Sequence, residues 1–199
     1  MTKPFILMIS GWAGSGKDAA ATLLVDEMDF TRKAFADPLK EDVAASHRLS
    51  QFYFTERHLK DKPLPSGKTP RDLLIEHAAI ARATDPDIYS RKLADELDDS
   101  RFVISDWRYQ REYEFLCANT GATIVRCRII RPGVEQIDDP TEHDLDNVPM
   151  DLVITNDGCI SDLRDKLKYA IRPHLSAWSA SAPATSISEH PLEYLCAVP

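Results

Sequence analysis

The stretch Gly11-Trp-Ala-Gly-Ser-Gly16-Lys17-Asp18 has the spacing GxxxxGK, which suits it to holding nucleotide phosphates. Glycines let backbone amides turn inward around an anion, and the positive end of a following helix adds to the attraction. Lys17 then reaches the β- and γ-phosphates as a mobile point charge. The expected nucleotide contacts are Gly11, Gly14, Ser15, Gly16, Lys17, Asp18 and Ala19. Asp18 stands where a Ser or Thr hydroxyl usually meets magnesium. Its carboxylate binds the ion directly or through water in this reading, although its charge opposes close approach to phosphate. The loop alone predicts nucleotide binding and leaves kinase, ATPase and GTPase open.

A second group of residues has the chemistry of an acceptor site. Lys40 lies beyond Asp37-Pro38, at the start of a helical pattern. Arg71 follows Thr69-Pro70, so helix amides and a guanidinium together suit a phosphate. The competing use of Arg71 is a surface ion pair with Asp72 or Glu76. Asp106 ends an apolar strand, where a carboxylate can reach magnesium, position an acceptor or act as a base, and Arg108 and Glu112 follow. The competing use of Asp106 is to cap the next helix. Arg128 and Arg131 flank a turn into a long acidic stretch with the character of a lid. Asn156-Asp-Gly158 follows the last strand and suits either a nucleobase edge or a plain turn.

These residues need elements to position them. Pro4–Ile9 is a buried strand, the glycine loop follows, and a helix covers about Ala19–Glu27. A weaker strand lies near Phe30–Phe35, and Asp37-Pro38 opens another helix. Thr69-Pro70 and Asp85-Pro86 each combine an N-cap residue with proline at the first helical position. Phe102–Ser105 is a short strand and Gln110–Asn119 a helix. Ala122–Ile130 is a strand favoured by its β-branched residues. Leu152–Thr155 is the last strand and Ser161–Ile171 the last helix. Beyond Pro173 the segment SAWSASAPATSIS is small and polar, as in a linker or mobile tail. Such alternation predicts a mainly parallel sheet with helices on both faces and ligands at the carboxyl ends of the strands.

Composition narrows the partners. A chain of 199 residues suits one domain with a full core. The net charge of -8 disfavours a polymer-coating role in DNA or RNA binding, which needs a basic surface. No run approaches the roughly 18 apolar residues of a membrane helix. The N-terminal MTKPFILMIS leads straight into the phosphate motif, so it reads as a strand and not as a cleaved signal. The four cysteines (Cys117, Cys127, Cys159, Cys196) form no CxxC pair and fit buried, reduced thiols. The six histidines have no metal-ligand spacing, so no structural metal is expected.

Taken together, GWAGSGKD, FADPLK, TPRDLL, DPDIYSRKLAD, VISDWRYQREYEFL and DLVITNDG resemble the bacteriophage deoxynucleoside monophosphate kinases, over about Phe5 to Leu167. The GKD form of the loop is usual in that group. The resemblance implies a three-layer α/β P-loop kinase fold with a five-stranded, mainly parallel sheet, a helical acceptor-binding insertion and a lid. It also implies magnesium-dependent transfer from ATP to a dNMP in the cytoplasm, the host's if phage-encoded. On this pattern Gly11, Gly14, Gly16, Lys17 and Asp18 bind ATP phosphates and Mg2+, with Asp106 a further metal ligand. Lys40, Arg71, Asp106, Arg108 and Glu112 line the acceptor side, with Lys17, Arg71, Asp106 and Arg108 in catalytic roles, and Asn156 to Gly158 lie near the adenine.

The expected organisation is a kinase domain over 1–175, with the acceptor region at about 37–98 and the lid at 131–149, and a tail over 176–199. The partner is a small deoxynucleotide, with no nucleic acid polymer and no membrane, and a homodimer is compatible. A weaker similarity runs to animal-type phosphomevalonate kinases, which share the GKD loop, DPxxxxRK and SDxR. The rival from another class is a nucleotide-binding regulator using Trp178 and Leu192 to Leu195 as a partner surface.

Overall fold

The chain is described by a computed structural model over residues 3–134 and 143–181. Its central strand β1, Phe5–Ser10, is buried along its whole length. A strand buried on both faces needs neighbours on each side and helices above and below. The remaining elements are α1 (Lys17–Met28), β2 (Thr31–Lys33), α2 (Ala36–His47), α3 (Phe52–Thr55), α4 (Pro70–Thr84) and α5 (Ile88–Ala94). They continue with β3 (Arg101–Ile104), α6 (Gln110–Thr120), β4 (Thr123–Ile130), β5 (Leu152–Thr155) and α7 (Ile160–Ala180).

The five strands lie in the order β2-β3-β1-β4-β5, and every pairing is parallel. Alternate side chains of β1 serve opposite layers, as the period of a strand requires. Phe5, Leu7 and Ile9 pack with Ala21 and Leu24 of α1 and with Leu163, Leu167 and Ile171 of α7. Ile6 and Met8 pack with Leu93 of α5 and Leu116 of α6 on the other face. A third cluster joins Leu39 and Val43 of α2, Phe54 of α3, Leu73 of α4 and Tyr89 of α5. This is the expected α/β architecture with a helical insertion, and the described sheet is wholly parallel.

One helix start matches the expectation, and other element ends differ from it. The helix after Thr69 starts as its capping box dictates: Thr69 accepts from the Asp72 amide, and Asp72 accepts from that of Thr69. The helix after Pro86 begins at Ile88 and stops at Ala94, short of Leu97, with Asp87 as its N-cap. The short α3 carries no periodic signal and escapes a sequence reading.

The largest difference is α7, which passes Pro173 and continues to Ala180. Tertiary contacts outweigh the proline there. The Trp178 indole donates to the Lys3 carbonyl at 2.8 Å, its ring meets Phe5 edge-on at 5.8 Å, and the Arg101 guanidinium lies 5.5 Å from it. Residues 176–180, expected in the tail, therefore end a helix, while 182–199, with Leu192 to Leu195 and Cys196, lie outside the described residues. No described helix is long and apolar enough to cross a membrane.

Trp178→Ala should lower stability by about 1–3 kcal/mol through lost ring packing, with Trp178→Phe recovering part of the loss. Denaturant unfolding at fixed pH checks both.

Candidate active site

The phosphate motif occupies the turn between β1 and α1. Gly11 has φ 142, and a Cβ on it would sit 2.3 Å from the Ile129 carbonyl oxygen of β4. No other residue type fits between these two strands. Gly14 and Gly16 also have positive φ, at 82 and 105. The Lys17 ammonium folds back and donates to the Gly11 carbonyl and, at 2.9 Å, to that of Trp12. The Ser15 hydroxyl is buried without a hydrogen-bond partner among the described residues, while its amide donates to the Trp12 carbonyl at 3.0 Å. Asp18 is exposed in the first turn of α1, with Arg32 at 3.7 Å. Ala19 is partly buried and packs on the core.

Asn156, expected near a nucleobase, turns its side-chain amide to the loop and donates to the Ser15 carbonyl at 2.9 Å. Gly158 lies one turn away, where a Cβ would meet the Asp162 carboxylate.

Across the strand ends stands a group of cations. Lys40 pairs with Asp37 at 2.6 Å and keeps little exposed surface. Arg71 binds Asp61 through Nε at 2.6 Å and Nη2 at 3.3 Å. Its partner is thus Asp61, not Asp72 or Glu76, and the latter is taken by Lys68. Lys60, which sequence reasoning did not single out, joins the group. Burial lowers its pKa, Lys40, Arg71 and Arg32 lower it further, and Asp18 opposes them. Lys60 thus shares a cationic neighbourhood with Lys40 and Arg71. Its sequence context, an exposed turn in a polar segment, carries no motif. The Arg71 amide, bonded to the Lys60 carbonyl at 3.0 Å, ties it to α4.

Two carboxyls lie deeper. Asp106 accepts the Phe35 amide at 3.0 Å and the Ala36 amide at 2.9 Å, holding the start of α2 and not of the helix that follows it. Its withdrawal from water pushes its pKa up, against the pull of those two amides. Glu112, 8% exposed, accepts the amides of Arg108 and Tyr109, each at 3.2 Å. Burial, with Asp106 adding repulsion, raises its pKa to about 8. Nearby, the Arg82 guanidinium lies 5.5 Å from the Tyr89 ring and 5.3 Å from that of Tyr109. Arg82 is a further residue with no motif around it in the sequence.

Of the expected lid residues, Arg128 stands opposite Ser10 at the end of β1. Arg128 donates to the Leu145 carbonyl and lies 3.8 Å from Asp146, so it fastens the segment after 142 to β4. Arg131 is exposed in the turn leaving β4, and residues 135–142 of the expected lid lie outside the described residues. Arg108 is exposed at its side chain.

As to a metal, an exposed Asp18 carboxylate beside the loop is a hard oxygen donor that fits magnesium. One or two carboxylates with substrate phosphates make its usual coordination set. Among the described residues no group of three or more His, Cys, Asp or Glu could hold a metal without such help.

A parallel sheet in this strand order, a glycine loop after its central strand and a lysine at the following helix make up the P-loop kinase fold. Two solved structures share that fold. A protein from Chloroflexus aurantiacus described as a kinase aligns with a TM-score of 0.52 at 14% identity, covering 89% of this chain and 98% of its own. A Thermus thermophilus protein aligns at 0.50 and 16% identity, covering 88% and 98%.

The model of the deoxynucleotide monophosphate kinase family matches residues 81–167. A protein of Acanthamoeba polyphaga mimivirus, named as a candidate deoxynucleotide monophosphate kinase, is 31% identical over 184 residues, covering 81% of this chain and 93% of its own. The chain belongs to the deoxynucleotide monophosphate kinase family, and it is an ATP-dependent phosphotransferase acting as a nucleotide kinase.

Because Glu112 titrates near 8 when folded and near its ordinary 4.5 when unfolded, the native state retains a proton that the unfolded chain releases. Stability should therefore fall as pH rises from about 4.5 to about 8. Thermal unfolding at both ends of that range checks this, and Glu112→Gln should flatten the slope.

Proposed function

We propose that this chain transfers the γ-phosphoryl group of ATP to a deoxynucleoside monophosphate, yielding dNDP and ADP, as in the bacteriophage enzymes it resembles. The observation that carries this reading is the meeting of Lys60 and Arg71 at the start of α4, where the Arg71 amide donates to the Lys60 carbonyl at 3.0 Å, in a neighbourhood whose positive charge, with burial, lowers the Lys60 pKa. A cationic group so placed suits an acceptor that is itself a phosphate. Family membership supports the same substrate class.

In the reaction, an acceptor phosphate oxygen forms a bond to the γ-phosphorus as the bond from that phosphorus to the β–γ bridging oxygen breaks. ADP leaves with the electron pair. The acceptor oxygen is anionic at neutral pH, so the protein need not supply a strong base, and catalysis rests on positioning and charge stabilisation. Loop amides and Lys17 hold the donor phosphates, and Lys17 exchanges its loop carbonyls for phosphate oxygens. Lys40, Lys60 and Arg71 hold the acceptor phosphate. Asp106 fixes the start of α2 through the Phe35 and Ala36 amides, and so the approach of Lys40. Mg2+, held by Asp18, would neutralise charge on the transferred group, while both Asp106 oxygens are already engaged by the Phe35 and Ala36 amides. A net charge of -8 fits a free nucleotide in the cytoplasm better than a nucleic acid polymer.

Incubation with ATP, Mg2+ and a panel of dNMPs, with mevalonate phosphate included, should yield dNDP and ADP. Diphosphate product from mevalonate phosphate alone, or ATP loss without an acceptor product, would overturn the assignment. Lys17→Ala should lower kcat/KM by at least about a hundredfold. Lys60→Ala should lower kcat/KM for the acceptor by about ten- to a hundredfold while leaving the Kd for ATP nearly unchanged.

A further inference from the structure

Asn156 follows β5 and is 141 positions from the residue it grips. Its side-chain amide donates to the Ser15 carbonyl at 2.9 Å, and its own backbone amide donates to the Ile130 carbonyl at 2.7 Å. The same side chain fills the space beside Gly16, where an added Cβ would lie 2.4 Å from Asn156 Nδ2. At the start of the loop, Gly11 is pressed against the Ile129 carbonyl. The phosphate loop is thus held at two points, by the end of β4 and by the residue after β5, both on the same side of β1.

We propose that Asn156 is a positioning residue for phosphate binding: its side chain fixes the Ser15–Gly16 peptide, and through it the orientation of the loop amides that receive the donor phosphates. This inference rests on the phosphate loop binding the donor and extends that reading. The base of the donor is then met by other atoms of the 156–158 segment, because the Asn156 side-chain amide is already directed at the loop. The geometry has a physical consequence. In a trans peptide unit the carbonyl and the following N–H lie in one plane and point in opposite directions. Holding the Ser15 carbonyl toward Asn156 therefore aims the Gly16 amide the other way.

The arrangement also joins the two halves of the donor site. The segment that would meet a nucleobase and the loop that meets phosphates share one hydrogen bond. Ordering either side lowers the cost of ordering the other, which is positive coupling between base and phosphate binding.

Inorganic tripolyphosphate separates this role from a contact with the base, since it carries phosphates and no base. Calorimetric titration of the full chain with tripolyphosphate and Mg2+ should show Asn156→Ala binding about five- to tenfold more weakly than the unaltered protein, in line with one lost hydrogen bond. Asn156→Asp has the same size and no amide donor, and it should lose at least as much; it carries the test if the alanine variant folds poorly. Amide hydrogen exchange at Ser15 to Lys17 in the unliganded protein should quicken severalfold in either variant.

Unchanged tripolyphosphate affinity with weakened ATP binding would mean that Asn156 serves the base, and would overturn the proposal, as would unchanged exchange at the loop. Failure of the unaltered protein to bind tripolyphosphate would instead strike at the phosphate-loop reading, and loop exchange would still decide the role of Asn156.

Discussion

The close approach of the Gly11 backbone to the end of β4 is the constraint on which the site depends. A Cβ at that position would meet the Ile129 carbonyl oxygen at 2.3 Å, so the chain leaves β1 through a conformation open in practice only to glycine. The approach exists because β1 lies between β3 and β4, with all three parallel and in register. Their carboxyl ends finish together and leave a crevice above them. The phosphate loop fills the middle of that crevice, Asp106 comes from the β3 side, and Asn156 comes from beyond β4.

Charge is arranged locally against an acidic whole. Many of the described cations are neutralised by a nearby carboxylate, as in Arg126–Asp151, Arg111–Asp87 and Lys92–Asp42. Exposed pairs of this kind contribute little stability, and Lys40 and Arg71 beside the crevice are paired in the same way, with Asp37 and Asp61. Burial raises the pKa of both Asp106 and Glu112 against the pull of the amides they accept. Both spend their oxygens on backbone amides at helix starts, so they organise α2 and α6.

Remote packing supports the same geometry. The carboxyl end of α7 is pinned to the amino end of β1 through Trp178 and the Lys3 carbonyl. Cys127 lies inside β4, where burial raises its thiol pKa to about 12 and makes it inert, whereas Cys117 and Cys159, expected as buried thiols, are exposed.

The sequence by itself determined the local parts: the glycine loop and its lysine, the strand–helix alternation, the capping box at Thr69, and the strand Leu152–Thr155. Each depends on residues a few positions apart, whose spacing carries the physics. It also carried the family resemblance, because those motifs are short and contiguous. Tertiary structure alone decided which distant groups meet. Lys60 and Arg82 have no motif around them and join their clusters only when the helical insertion packs. Asn156 lies near Ser15 only because β5 is seated beyond β4. The α7 helix passes Pro173 only because Trp178 has Phe5 and Lys3 to hold. Hydrogen bonds and burial between segments more than a hundred residues apart leave no period in the chain, so they come into view only in the folded molecule.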